Sequence, residues 1–138
     1  TRGVLRGLHY QKGEFSQAKL VRVIQGRVLD VAVDLRKSSP TFLKYVAVEL
    51  SGENKRQLFV PRGFAHGFVV RRGDAVVQYK CDNLYAPECE GSILWNDADL
   101  AIDWGISPES AILSAKDMLN RSLAESKELF DYSVDYYA

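Results

Sequence analysis

The feature that most constrains this chain is a succession of short apolar runs, broken by turn residues, from Ala18 to about Trp104. They read KLVRVIQG, RVLDVAVDL, KYVAVELS, RQLFVP, AHGFVVRRG, AVVQYKC and SILW. Runs rich in β-branched and aromatic residues at this spacing predict an all-β sandwich or barrel. In RVLDVAVDL, a period of two places Leu29, Val31, Val33 and Leu35 on one face and Val28, Asp30, Ala32 and Asp34 on the other. The first face is core and the second presents carboxylates. The same count in AVVQYKC groups Ala75, Val77, Tyr79 and Cys81, which turns the Tyr79 ring inward. QGR at 25–27 and RRGD at 71–74 read as hairpin turns.

The pattern changes after Trp104. SPES reads as a turn, and AILSAKDMLNRSLAESKELF as a helix beginning near Ser114, a helical tail from about residue 107. Ser114 and Asp117 have capping-box spacing, and Leu113 with Met118 could form a hydrophobic staple. There is no repeat or linker, so residues 1–138 are expected to form one domain. Lys and Arg total 18 and Asp and Glu total 18. No net field would draw the chain to nucleic acid or an anionic membrane. Cys81 and Cys89 lie outside any C-x-x-C spacing and read as reduced, cytosolic thiols. No run approaches the roughly 18 apolar residues of a membrane span, and TRGVLRGLHY lacks the plan of a signal peptide. A soluble, cytoplasmic protein is expected, and the start without methionine suggests that an upstream segment is missing.

The two histidines carry the most chemical information. His66 lies in VPRGFAHGF, whose P-x-G-x-x-H spacing is similar to the second motif of cupins, where the histidine often ligates metal. The place of the first cupin motif offers only HYQ, with His9 followed by Gln11, so the usual histidine ligand set is not assembled. A lone histidine on an apolar face is more often a satisfied core residue. If His9 is a base, it needs an orienting partner, a group to stabilise the charge it creates, and a proton donor on the opposite face for inversion.

GVLRGLHYQ, QAKLVRVIQGRVLDVAVDLRKSSPTF, LSGENKRQLFVPRGFAHGF, YKCDNLYAPECEGSILWND and LSAKD resemble consecutive blocks of the dTDP-4-dehydrorhamnose 3,5-epimerase family. The resemblance runs in order from Gly3 to about Asp117. It implies a cupin-type jelly roll, or double-stranded β-helix, that works without metal or organic cofactor as a homodimer. The implied reaction inverts C3, C5 or both of a dTDP-4-keto-6-deoxyhexose through an enolate, as in dTDP-L-rhamnose biosynthesis.

On the same resemblance, His9 is the base, Asp117 orients and charges its imidazole, Lys19 faces the C4 oxygen, and Tyr79 is the acid on the opposite face. Without it, Asp117 reads as a helix cap, Lys19 as a solvated strand end and Tyr79 as a barrel plug. Arg6 resembles a diphosphate contact, Tyr85 the aromatic on which thymine stacks, and Glu90 and Lys116 further nucleotide contacts. His66 is expected near the sugar or phosphates, with Asp30 from the carboxylate-bearing strand face as its expected partner. The resemblance begins inside the family pattern, so an N-terminal segment carrying D-E-R-G-type and Q-D-N-type binding motifs is expected to be missing. Two other readings are a noncatalytic nucleotide-sugar-binding module and a metal-dependent cupin enzyme.

Overall fold

The apolar runs join into fewer and longer strands than their punctuation suggests. The computed structural model describes residues 1–126 and 129–138. Its main strands are β1 (Val4–Gln11), β2 (Lys19–Asp34), β4 (Tyr45–Ser51), β5 (Gln57–Val60) and β6 (Phe64–Cys81). Short ones are β3 (Arg36–Lys37), β7 (Glu90–Ser92), β8 (Ile112–Leu113) and β9 (Phe130–Asp131). The principal sheet has the order β4-β2-β6-β1-β7, with β5 also on β2 and β8 on β1, while β3 pairs with β9. The all-β, cupin-type architecture expected from the sequence is present.

β2 and β6 pair antiparallel from Lys19 opposite Cys81 to Asp34 opposite Phe64. The QGR and RRGD segments therefore lie inside strands and are not hairpin turns. Register shifts interrupt the ladder between Val23 and Val28. Gly26 and Gly73 take positive φ values of 82° and 64° there. Glycine tolerates that conformation, so the strands bend without ending.

The shifts reverse which residues face inward. Val21 and Val23 before the bend share an apolar layer with Val28 and Ala32 after it, together with Leu50, Val60 and Val70. Val31, Val33 and Leu35 project the other way, into a layer with Leu5, Leu8, Tyr10, Trp95, Trp104 and Phe130. Both faces of RVLDVAVDL are thus buried, the carboxylate-bearing face as well as the one expected to be core. A buried carboxylate requires partners. Asp30 meets His66 at 2.6 Å. Asp34 accepts from Arg36 Nε at 2.9 Å and from Thr41 Oγ1 at 2.6 Å.

The C-terminal helix starts where the capping pattern places it but lasts a single turn. α1 spans Ala115–Met118, and Ser114 Oγ accepts from the Asp117 amide at 3.1 Å. Met118 and Leu119 are exposed, so continued helix would bury no apolar stripe. The chain instead extends to bridge Ile93 with Arg121, and the Leu94 amide donates to the Arg121 carbonyl at 2.8 Å. Tertiary pairing overrides local propensity here. Lys127 and Glu128, within the expected helix, lie outside the described residues.

β1 carries one extra residue relative to β6: Arg6 opposes Phe68 and His9 opposes His66. Around this bulge the backbones nearly touch. A Cβ on Gly67 would lie 2.7 Å from the Arg6 carbonyl oxygen and 3.1 Å from Leu8 Cδ2. Backbone cannot yield as a side-chain tip can, so Gly67→Ala is expected to destabilise the fold by about 1–3 kcal/mol, as overpacked sites do. Urea unfolding measures this, and a loss under about 0.5 kcal/mol would show that the approach is not tight.

Candidate active site

The bulge in β1 is what aims His9. Leu5 and Leu8, an odd and an even position, both enter the layer under Trp104. A regular strand would send them to opposite faces. The extra residue resets the alternation, so Arg6 and His9 share the other face, each opposite a β6 residue of that face, Phe68 and His66.

The backbone groups of the bulge are satisfied from the C-terminal turn. The Gly7 amide donates to Asp117 Oδ2 at 3.3 Å, and Asn120 Nδ2 donates to the Gly7 carbonyl at 3.1 Å. The other oxygen of Asp117, Oδ1, lies 2.9 Å from His9 Nε2. Asp117 is fully buried. The capping box is therefore half made: the Ser114 hydroxyl caps α1, while the Asp117 carboxylate turns to His9 and Gly7.

With Nε2 held by a carboxylate, the neutral imidazole carries its lone pair on Nδ1. That atom has no hydrogen-bond partner among the described residues and lies 3.6 Å from Glu90 Oε1. Burial pushes the His9 pKa below its ordinary value of 6.5, against the opposing charges of Asp117 and Glu90; Lys19 and Lys116 also lower it. Neutral His9 therefore predominates near neutral pH.

His9 opens onto a cleft of about 340 Å³, lined also by Tyr10, Gln11, Gln17, Lys19, Tyr79, Cys81, Tyr85 and Glu90. The Lys19 ammonium sits 5.5 Å from the centre of the Tyr79 ring. Burial lowers the Lys19 pKa from 10.5, while Cys81, Asp30 and Glu90 act to raise it. Tyr79 is not packed away as its inward-facing neighbours suggested. It is about half exposed, with its ring edge-on to His66 at 6.4 Å between centroids. His66 and Asp30 form a buried pair behind that ring. Glu90 is gripped by Lys116 Nζ at 2.6 Å and accepts from the Tyr85 hydroxyl at 3.2 Å. Burial would raise the Glu90 pKa, but the Lys116 and Tyr85 hydrogen bonds and neighbouring positive charge bring it below its ordinary value.

The cleft therefore unites His9, Lys19, Tyr79, Tyr85 and Glu90, with Asp117, Lys116 and His66 in contact with its lining. Arg6 is exposed and outside the lining, and its guanidinium donates to the Leu5 carbonyl at 3.2 Å. Gln11 and Gln17 were not picked out from the sequence, because a glutamine carries no periodic or motif signal of its own. Among the described residues, no group of three or more His, Cys, Asp or Glu side chains is arranged to hold a metal ion. Both cysteines are free thiols. No helix among the described residues is long and apolar enough to cross a membrane.

The family model of dTDP-4-dehydrorhamnose 3,5-epimerase matches residues 1–125. The chain belongs to this family. The enzyme of that name from Salmonella typhimurium is 58% identical over 118 residues, which cover 84% of this chain and 63% of the relative. The chain thus spans less than two thirds of that relative's length. A crystal structure from Elizabethkingia anophelis superposes with a TM-score of 0.89 at 58% identity, covering 91% of this chain and 68% of that one. The Legionella pneumophila enzyme, solved in complex with dTDP-4-keto-L-rhamnose, gives a TM-score of 0.91 at 50% identity, over 96% of this chain and 71% of that one.

The electrostatics yield a titration prediction. The folded pKa of His9 lies below 6.5, so the unfolded chain binds more protons as pH falls through that value. The stability associated with neutral His9 is full above pH 6.5 and declines as pH falls towards the folded value. By proton NMR, the His9 ring should titrate with a midpoint under 6.5. Asp117→Asn, which removes a charge that raises it, should lower the midpoint further. A wild-type midpoint at or above 6.5 would mean that the carboxylates outweigh burial.

Proposed function

We propose that this chain epimerises a dTDP-4-keto-6-deoxyhexose at C3, C5 or both, the step that leads towards dTDP-L-rhamnose. The observation that carries this reading is the His9–Asp117 pair, in which a neutral imidazole held by a buried carboxylate lines a cleft that also holds an ammonium and a phenol. The C4 ketone acidifies the neighbouring C–H bonds. His9 Nδ1 takes the proton, the bonding pair moves into a C=C bond, and the ketone oxygen becomes an enolate opposed by Lys19. A cation already in place as that charge develops lowers the barrier without reorganising. The Tyr79 hydroxyl returns a proton to the opposite face, and the resulting phenolate and imidazolium recover their original states by exchange with solvent. The hydrogen leaves and returns as a proton, so no redox partner is required.

Tyr85 supplies a surface for the nucleobase, and Glu90 and Lys116 make further contacts with the nucleotide. Arg6 acts on the diphosphate, where a guanidinium fork suits phosphate oxygens. His66, fixed by Asp30, lies against the sugar or phosphates. We also infer a homodimer: Leu20 and Phe59 are cross-strand partners and both exposed, an apolar surface that a second copy would cover. The free thiols agree with a reducing, cytoplasmic setting.

The decisive experiment incubates dTDP-4-keto-6-deoxyglucose with the protein in heavy water and follows the hydrogens at C3 and C5 by NMR. Loss of one or both signals is expected and names the centre deprotonated, while the ring coupling constants of the product name the centre inverted. Persistence of both while dTDP still binds would leave a binding module in place of an epimerase. His9→Ala should slow exchange at least about 100-fold with the fold retained, in line with what a general base contributes. Normal exchange in that variant would overturn the assignment. Tyr79→Phe should impair inversion more than exchange, and unchanged inversion would remove Tyr79 from the acid role.

A further inference from the structure

Two positions beyond His9 on the same strand, and hence on the same face, stands Gln11. Its side chain is buried, and among the described residues its hydrogen bonds all go to backbone. Nε2 donates to the Phe15 carbonyl at 2.8 Å and to the Leu84 carbonyl at 3.0 Å, and Oε1 accepts from the Ala86 amide at 2.9 Å. Both amide hydrogens and one acceptor site are thus used on backbone. Leu84 and Ala86 are the immediate neighbours of Tyr85, so one side chain grips the chain on both sides of that residue.

The rest of the loop is tied down in the same way. Gln17 Nε2 donates to the Asn83 carbonyl at 2.8 Å, Asn83 Nδ2 to the Glu14 carbonyl at 2.9 Å, and the Ala18 amide to Asp82 Oδ1 at 2.8 Å. Tyr85 itself is 68% exposed, and among the described residues its side chain is hydrogen-bonded through its hydroxyl alone, on Glu90 Oε2. Such a ring gains little from its own packing. Its orientation depends on the backbone beneath it, and a binding surface ordered before its ligand arrives avoids the entropy cost of ordering on contact.

We propose that Gln11 is a positioning residue for nucleotide recognition: it holds the Leu84–Ala86 backbone so that Tyr85 presents a preformed face to the nucleobase. The proposal rests on the reading of Tyr85 given above. It links the two halves of the site, because β1 carries the base at His9 and the clamp for the nucleobase surface at Gln11.

The test compares Gln11→Leu, Gln11→Glu, Tyr85→Ala and Gln11→Leu/Tyr85→Ala, with dTDP as the titrated ligand and circular dichroism to confirm folding. Gln11→Glu keeps an acceptor for the Ala86 amide and loses both donors, so it serves if the leucine variant does not fold. Gln11→Leu should raise the Kd for dTDP and the KM about tenfold, the scale of losing a buried hydrogen bond, with a much smaller fall in kcat. The Ala86 amide should lose protection from hydrogen exchange. In the Tyr85→Ala background, the Gln11 substitution should have no further effect on Kd.

A folded Gln11 variant that binds dTDP within twofold of the parent, while Tyr85→Ala weakens binding, overturns the positioning role. So do multiplicative losses in the double variant. If Tyr85→Ala itself leaves dTDP affinity unchanged, it is the nucleobase reading of Tyr85 that fails, a result distinguishable from the first.

Discussion

The site depends on one buried carboxylate. Asp117 accepts the Gly7 amide through one oxygen and faces His9 Nε2 through the other. The extra residue that turns His9 towards the cleft also takes the Gly7 peptide out of the ladder with β6, leaving a donor and an acceptor that must be satisfied elsewhere. Asp117 and Asn120 supply those partners from the C-terminal turn. The contact that permits the bulge is therefore the contact that fixes the imidazole. Loss of the carboxylate would affect His9 twice, through its tautomer and through the strand geometry that aims it.

Charge in the cleft follows the same economy of groups. His9 lies among two carboxylates and two ammonium groups whose effects on it oppose one another, and burial tips the balance towards the neutral ring. Glu90, the carboxylate nearer Nδ1, is itself held by Lys116 and Tyr85. This arrangement suits a proton acceptor: an imidazole paired with an uncompensated second carboxylate would be drawn towards its protonated form.

Much of this was legible in the sequence, and the parts that were not share a cause. Period-two alternation identified the strands and the faces of Leu29 to Leu35, and the spacing of Ser114 and Asp117 located the start of the helix. Local patterns failed where non-local pairing decided the outcome. Gly26 and Gly73 resemble turn residues but accommodate bends in strands whose pairing resumes beyond the register shifts. The helix after Met118 gives way to the bridge between Ile93 and Arg121. The buried second face of RVLDVAVDL could not be read from alternation, since Asp30 becomes tolerable there only because His66 meets it from the next strand. Family resemblance nominated His9, Asp117, Lys19 and Tyr79 together; spacing alone would not have joined residues so far apart in the chain.

The bends in β2 and β6 explain how two paired strands produce a cleft with facing walls. His66 and Tyr79 belong to one strand and are thirteen residues apart (79 − 66), a separation of about 43 Å were it straight at the usual rise. Their ring centroids are 6.4 Å apart. The strand has folded back over itself, and β2 follows it, carrying Lys19 across from the limb on which Asp30 stands. His9 therefore approaches the cleft from β1 on the first limb of β6, while Lys19 and Tyr79 approach from the second. Inversion at a carbon requires a base and an acid on opposite sides of one plane. A flat sheet would set all these side chains in a row on one surface, whereas a sheet bent at two glycines sets them face to face.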